Sequence, residues 1–171
     1  MMSFFAYGQT PSGPTQKTDA PPQAKEADVN SIEHIVAALY SGISGPAGPR
    51  DWDRVRSLFY AGARMIPSRR TSDGKVIARN LSVEEYITAS KPILDKEGFF
   101  ETPITNRIET WDHIAHVWST YQSRHEKDEA PFARGINSIE LMNDGTRWWI
   151  ITVYWEGEEK DHPLPEKYLN D

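Results

Sequence analysis

Four consecutive stretches rich in β-branched and aromatic residues fill the second half of the chain and constrain its fold most. They cover residues 99–110, 114–126, 132–142 and 147–155. Such residues favour β-strands, and these stretches are long enough to cross a whole sheet. Short turn sequences at 111–113 and 143–145 separate the first and last pairs, and a charged loop at 126–131 separates the middle pair. We therefore predict a meander of four long antiparallel strands.

The part of the chain before these strands has helical periodicity instead. From Asn30 onward, apolar residues recur every three or four positions behind a capping box formed by Asn30 and Glu33. Asp51 can cap a short second helix, and a further capping box begins a third helix at Ser82. Between them, residues 64–79 predict a short hairpin. Helices followed by a strand meander predict an α+β fold.

The composition excludes several classes of function. The 171 residues include no cysteine, which excludes thiol catalysis, disulfides and cysteine-ligated metals. A net charge of −6 argues against nucleic-acid binding, which depends on clustered Lys and Arg. No phosphate-binding loop or dinucleotide motif occurs, so we expect no cofactor. His113 and His116 do not lie on a predicted helix, so we expect no metal, and no apolar run is long enough to span a membrane.

The two ends of the chain are predicted to lie outside the folded domain. Residues 1–8 resemble the second half of a secretory signal, and residues 9–28 are rich in Pro, Thr and Gln without apolar periodicity. We therefore expect residues 1–29 to combine a signal-peptide remnant with a disordered linker, which makes the protein periplasmic or secreted. Without that signal the protein would be cytoplasmic. Residues 157–171 are predicted to form a solvated acidic tail, which leaves 30–156 as the domain.

The order of these elements resembles the nuclear transport factor 2-like superfamily, with the SnoaL-like bacterial branch as the best match. The resemblance covers about residues 30–155 and includes the Asp144-Gly145 turn followed by Trp148-Trp149-Ile150. It implies a curved antiparallel sheet that wraps around three N-terminal helices and forms a cone with a pocket at its open end. It also implies a homodimer formed through the outer sheet face. The superfamily contains isomerases, dehydratases, cyclases and non-catalytic binding domains, so the fold alone implies no activity.

The last predicted hairpin indicates which residues line the pocket. If Asp144 and Gly145 form a two-residue turn, Asn137 pairs with Thr152 on a face that changes from apolar to polar along its length. Such a graded face suits a ligand cone, and Tyr121 lies on the matching face of the preceding strand. The predicted ligand-binding residues are Asn137, Trp148, Thr152, Tyr154 and Ser123.

The opposite face of the same hairpin is also apolar. It carries Trp149, Ile151, Val153 and Trp155. An exposed apolar patch of this size requires a partner surface, so we expect this face to form the homodimer. A three-residue turn would exchange the two faces.

His125 and Tyr121 are the candidates for proton transfer, because the pKa of an ordinary His lies near neutrality and Tyr121 lies beside the predicted pocket. Each also has a plainer interpretation, since a His beside a charged loop is usually solvated and a Tyr often only lines a wall. Related enzymes place an Asp, or a His with a carboxylate, inside the cone. None of the four predicted strands carries an Asp in its body, and Glu101 and Glu109 are expected on the polar side, opposite Ile108. This departure argues against an isomerase-type mechanism.

Three functions therefore remain open for this chain. The leading hypothesis is a domain that binds a small, partly apolar molecule in its cone and dimerises through the sheet. The first alternative is a lyase or isomerase that uses a pocket His or Tyr as its proton-transfer group. The second is a non-catalytic protein-interaction module with a filled cone.

Overall fold

The predicted order of helices followed by long strands is found in the computed structural model, which describes residues 20–170. The helices of this part are α1 (Glu26–Val29), α2 (Ile32–Ile43), α3 (Trp52–Ser57) and α4 (Val83–Leu94). The strands are β1 (Phe59–Arg70), β2 (Val76–Ala78), β3 (Leu81–Ser82), β4 (Phe100–Trp111), β5 (Ile114–Arg124), β6 (Ala133–Asn143) and β7 (Trp148–Gly157). The predicted signal remnant and most of the linker lie outside the described residues.

Side-chain caps start the helices at or near the predicted positions. Asp51 accepts a hydrogen bond from the Arg54 amide at 3.0 Å, and the capping box at Ser82 is complete. The cap of α2 is Ser31 rather than Asn30, one residue later than predicted. The folded region also begins earlier than expected, because α1 falls within the predicted linker and its Val29 is buried.

The sheet has the strand order β2-β1-β7-β6-β5-β4, with β3 paired to β1. Every pair is antiparallel except β1 and β7, which run parallel, so the sheet is mixed rather than antiparallel throughout. One face of the curved sheet packs against α2, and the core between them includes Ile35, Leu39, Val117, Ile139 and Ile150. This packing confirms the α+β cone. None of the helices within residues 20–170 has the length and apolar character needed to cross a membrane.

The predicted register of the β6–β7 hairpin is wrong. Its turn is longer than two residues, since residues 144–147 lie between the paired Asn143 and Trp148. The Asp144 carboxylate stabilises this turn by accepting hydrogen bonds from the amides of Thr146 and Arg147. A bulge at position 151 follows, since Leu141 pairs with Ile150 while Glu140 pairs with Thr152.

This bulge reverses the facing of the second half of β7. Val153 pairs with Ile139 and Trp155 pairs with Asn137 on the inner, concave face, so neither belongs to the predicted dimer face. Thr152 and Tyr154 lie on the outer face instead, where Tyr154 is 42% exposed. Their predicted place in the pocket is therefore corrected.

A second bulge changes the facing of β4. Pro103 pairs with Tyr121 and Thr105 pairs with Thr120, which leaves position 104 without a partner. Proline has no amide hydrogen for the strand ladder, so a bulge is expected beside it. Because of this bulge, Glu101 and Ile108 share the inner face, where the sequence placed them on opposite faces.

The chain after β7 crosses the outer face of the sheet. Glu158 accepts hydrogen bonds from Arg134 at 2.7 and 3.0 Å and from the Leu164 amide at 3.0 Å. The Tyr168 ring lies 6.0 Å from that of Trp118. These contacts hold a segment that we had expected to be fully solvated.

Candidate functional site

A small cavity of about 110 Å³ lies between the helices and the inner face of the sheet. Its apolar walls come from α2, β1 and β7 and include Leu39, Met65 and Trp155. Three polar side chains also line it: Tyr86, Glu101 and Asn137. An apolar cavity with a few convergent polar groups is the usual form of a small-molecule site.

Glu101 is the chemically distinctive residue of this cavity. Its Oε2 accepts a hydrogen bond of 2.9 Å from the Ser123 hydroxyl. Burial raises the pKa of the Glu101 carboxyl from 4.5 to about 7, and the side chains of Ser123 and Asn137 offset part of that effect. The carboxyl can therefore release or accept a proton near neutral pH, as a general acid or base must.

Glu101 was not among the predicted site residues, because unbroken alternation along β4 places it on the polar face, opposite Ile108. Ser44 holds the backbone of Glu101 in place. Its hydroxyl accepts a hydrogen bond from the Glu101 amide at 2.9 Å and donates one to the Glu101 carbonyl oxygen at 3.2 Å. The available signal was Pro103, since a proline within a long strand indicates a bulge.

A buried chain of hydrogen bonds positions Asn137 beside Glu101. The Ser119 hydroxyl donates to Asn106 Oδ1 at 2.6 Å, so the Tyr40 hydroxyl, 2.5 Å away, donates to Ser119. Asn137 Nδ2 in turn donates to the Tyr40 oxygen at 3.1 Å. Burial raises the pKa of Tyr40, so its phenol keeps its proton. Tyr40 therefore continues to donate to Ser119 while it accepts from Asn137.

The Tyr40→Phe variant tests this chain of hydrogen bonds. Removing the hydroxyl takes from Ser119 the group that donates to it and leaves Asn137 Nδ2 without its acceptor in the core, so we expect the free energy of unfolding to fall by about 2 kcal/mol. Urea denaturation measures this loss. Tyr60→Phe is the matched control, because Tyr60 is 47% exposed, and it should change stability little. Equal stability of both variants would contradict the role assigned to Tyr40.

The predicted pocket residues that lie on the inner face are found in two places, near Glu101 and at the start of β7. Tyr121, Ser123 and Asn137 are buried on the inner face near Glu101. Burial raises the pKa of Tyr121, so at neutral pH it can donate but not accept a proton, and its catalytic role stays a prediction. Trp148 also packs against the core, at the far end of β7 beside Asn143.

His125 lies away from the cavity. It follows the last residue of β5, its exposed ring stacks on Phe132 at 4.2 Å, and its Nδ1 lies 3.1 Å from the Gly98 carbonyl oxygen. The structure therefore does not bring it to Glu101. Within residues 20–170, no three His, Asp or Glu side chains are grouped closely enough to hold a metal ion.

A more open groove of about 460 Å³ also reaches Glu101. It runs between α2 and β4, and Tyr40 and Phe100 belong to its walls. Arg124 and Lys127 supply positive charge there. Glu101 thus lines both the small cavity and this larger groove.

No protein-family model and no curated protein matches the sequence. Solved structures do match. A protein of unknown function with a cystatin-like fold from Nostoc punctiforme shares 12% identity at a TM-score of 0.58, over 75% of this chain and 90% of that one. A nuclear transport factor 2-like protein of unknown function from Pseudomonas putida shares 8% identity at a TM-score of 0.58, over 78% and 90%. A candidate dehydratase of the nuclear transport factor 2-like family from Streptomyces avermitilis shares 12% identity at a TM-score of 0.52, over 82% of this chain and 98% of that one.

Identities this low establish the fold and leave the activity open. Membership of the SnoaL-like branch stays a prediction. The helices, the mixed curved sheet and these structural matches agree with the resemblance found in the sequence. The described part of the chain therefore has the nuclear transport factor 2-like fold.

Proposed function

We propose that the cone binds a small, partly apolar molecule and that Glu101 transfers a proton to or from it. The observation that carries this proposal is the position of the Glu101 carboxyl in a largely apolar cavity, with its pKa raised to about 7. Proton transfer is most efficient when the pKa of the group is close to the ambient pH. The reaction class is the lyase or isomerase considered above, with a carboxylate in place of a pocket His or Tyr.

The groups around Glu101 suit abstraction of a proton from carbon. The ionised carboxylate accepts a proton from a carbon next to a carbonyl group, and the apolar walls then favour the neutral acid. Asn137 and Tyr86 line the same cavity and can donate hydrogen bonds to the substrate oxygen, on which negative charge develops.

Hydrogen–deuterium exchange of small ketones tests the proposal without knowledge of the natural substrate. Cyclopentanone and 2-cyclohexenone are incubated with the protein in D₂O, and the loss of their α-protons is followed by NMR. We expect the exchange rate to rise as Glu101 ionises, with a midpoint near pH 7. Glu101→Gln should lower the catalysed rate on the order of 100-fold, because a general base contributes about that much.

Glu33→Gln is the matched control, because Glu33 is an exposed carboxylate in the first turn of α2. It should exchange at the wild-type rate. Catalysed exchange that persists in Glu101→Gln would contradict the role of Glu101. Native mass spectrometry of the purified protein would then separate a binding domain, which carries extra mass, from an interaction module, which carries none.

The proposal includes a homodimer formed through the sheet. A row of large apolar side chains supports it, because Trp111, Ile114, Met142 and Trp149 pair directly across β4 to β7 on the outer face. Trp111 is 76% exposed and Ile114 is 57% exposed, so this end of the sheet offers apolar surface to a partner. Export to the periplasm or beyond also remains a proposal.

A further inference from the structure

Strand β4 has an open edge. It is the last strand in the order of the sheet, so within residues 20–170 only β5 pairs with it. Ser44 and the bulge beside Pro103 occupy or distort its first half. From Asn106 to Trp111, however, β4 keeps an unbroken register with β5, and these six residues are exposed. A regular, uncovered edge of this kind is a template for pairing with another strand.

The sequence of this edge is complementary to itself. Arg107 and Glu109 precede and follow Ile108 in the sequence, and both lie on the outer face of the sheet, opposite to the face of Ile108. When two copies of β4 run antiparallel with Ile108 opposite Ile108, Arg107 of each copy lies directly opposite Glu109 of the other. A two-fold axis repeats each contact, so the interface contains two Arg107–Glu109 ion pairs.

Both charges are placed for this pairing. Arg107 lies over the Tyr168 ring at 5.2 Å and donates through Nη2 to the Lys167 carbonyl, which holds its guanidinium on the outer face. Its other N–H groups remain for a carboxylate, since a guanidinium carries five. Glu109 is exposed on the same face, two positions along the strand. Ile108 is 37% exposed and would be covered by its symmetry mate.

We infer that two copies of the chain pair through β4, antiparallel and centred on Ile108, and so join their sheets into one. This inference locates the homodimer included in the proposed function at the β4 edge, which carries Trp111, rather than across the whole outer face, and it is independent of the chemistry at Glu101. Main-chain hydrogen bonds along the edge provide the affinity, and the two Arg107–Glu109 pairs set the register.

Charge reversal tests the pairing by sedimentation velocity and native mass spectrometry. Arg107→Glu places Glu opposite Glu twice, and Glu109→Arg places Arg opposite Arg twice. We expect each single variant to raise the dimer dissociation constant at least on the order of tenfold. The double variant R107E/E109R restores opposite charges and should dimerise like the wild type. An equimolar mixture of the two single variants should form a heterodimer, because every pair is then opposite in charge.

The outcomes separate this inference from the rest of the proposal. Lys96→Glu, a charge reversal at an exposed residue away from the edge, should leave the dimer unchanged. A dimer that resists every variant overturns the β4 pairing but keeps a homodimer through another part of the sheet. A loss in Arg107→Glu that the double variant does not restore assigns the effect to the lost Tyr168 contact and overturns the pairing. A monomeric wild type overturns both the pairing and the homodimer.

Discussion

Replacing Glu101 by glutamine is expected to stabilise the protein at pH 8 by about 3 kcal/mol. Folding raises the pKa of this carboxyl from 4.5 to about 7, and each unit corresponds to about 1.4 kcal/mol. Above pH 7 the folded protein holds a buried negative charge that the unfolded chain would place in water. Glutamine has nearly the same shape and carries no charge, so it removes this penalty.

The direction in which stability changes with pH follows from the number of protons that the folded and the unfolded states bind. Between pH 4.5 and 7 the folded protein holds a proton on Glu101 that the unfolded chain has released, so stability falls as the pH rises. Below pH 4.5 both states are protonated, and the contribution of Glu101 vanishes. Urea denaturation at pH 4.5, 6 and 8 should therefore show a gap between wild type and Glu101→Gln that grows with pH.

The exposed Glu33→Gln variant provides the control here as well, since it should follow the wild-type curve at every pH. A constant difference between wild type and Glu101→Gln across the range would contradict the raised pKa. It would also weaken the proposed function, because that function depends on a carboxyl that exchanges its proton near neutrality.

Gly135→Ala is expected to destabilise the protein by about 3 kcal/mol. Gly135 pairs with Tyr121 across β5 and β6, and the Tyr121 ring lies over the space that a side chain at Gly135 would fill. A methyl group there would approach the Glu156 carbonyl oxygen to 2.4 Å and the Tyr121 hydroxyl oxygen to 2.5 Å. Since one of these atoms belongs to the backbone, the strand itself must move, and overpacking of this kind costs about 1–3 kcal/mol or more.

Gly157→Ala is a closely matched control, because Gly157 pairs with Gly135 on the neighbouring strand. A methyl group at Gly157 would lie 3.8 Å from the Arg134 carbonyl oxygen, an ordinary contact distance. We expect this variant to change the free energy of unfolding by less than about 1 kcal/mol. If thermal denaturation shows equal losses for the two variants, packing against Tyr121 is not the reason for glycine at position 135.

Local signals in the sequence were sufficient for the order of the elements. The Ser82 capping box and the Asp51 cap lie where they were predicted, because a side-chain cap depends only on neighbouring residues. Alternation along β6 also placed Asn137 correctly on the inner face. These predictions needed no knowledge of contacts between distant parts of the chain.

The candidate site was harder to predict because facing depends on counting residues along a strand. One unpaired residue reverses every side chain beyond it, so the bulge at Ile151 moved Thr152 and Tyr154 to the outer face. Pro103 signalled the bulge in β4, whereas no residue type at position 151 marks the bulge in β7. The raised pKa of Glu101 depends on burial by α2 and β7, which no local pattern contains.

The two bulges also determine how this chain can be compared with its relatives. A relative whose strand lacks the extra residue has the same side chains on the inner face of its sheet, because the residue in the bulge pairs with no residue of the neighbouring strand. Such a relative must be aligned with a gap of one residue at position 104 or 151. Without the gap, Glu101 and Trp155 would be matched with side chains that point to the opposite side of the sheet. A search for a shared acidic residue would then miss it even where it is present.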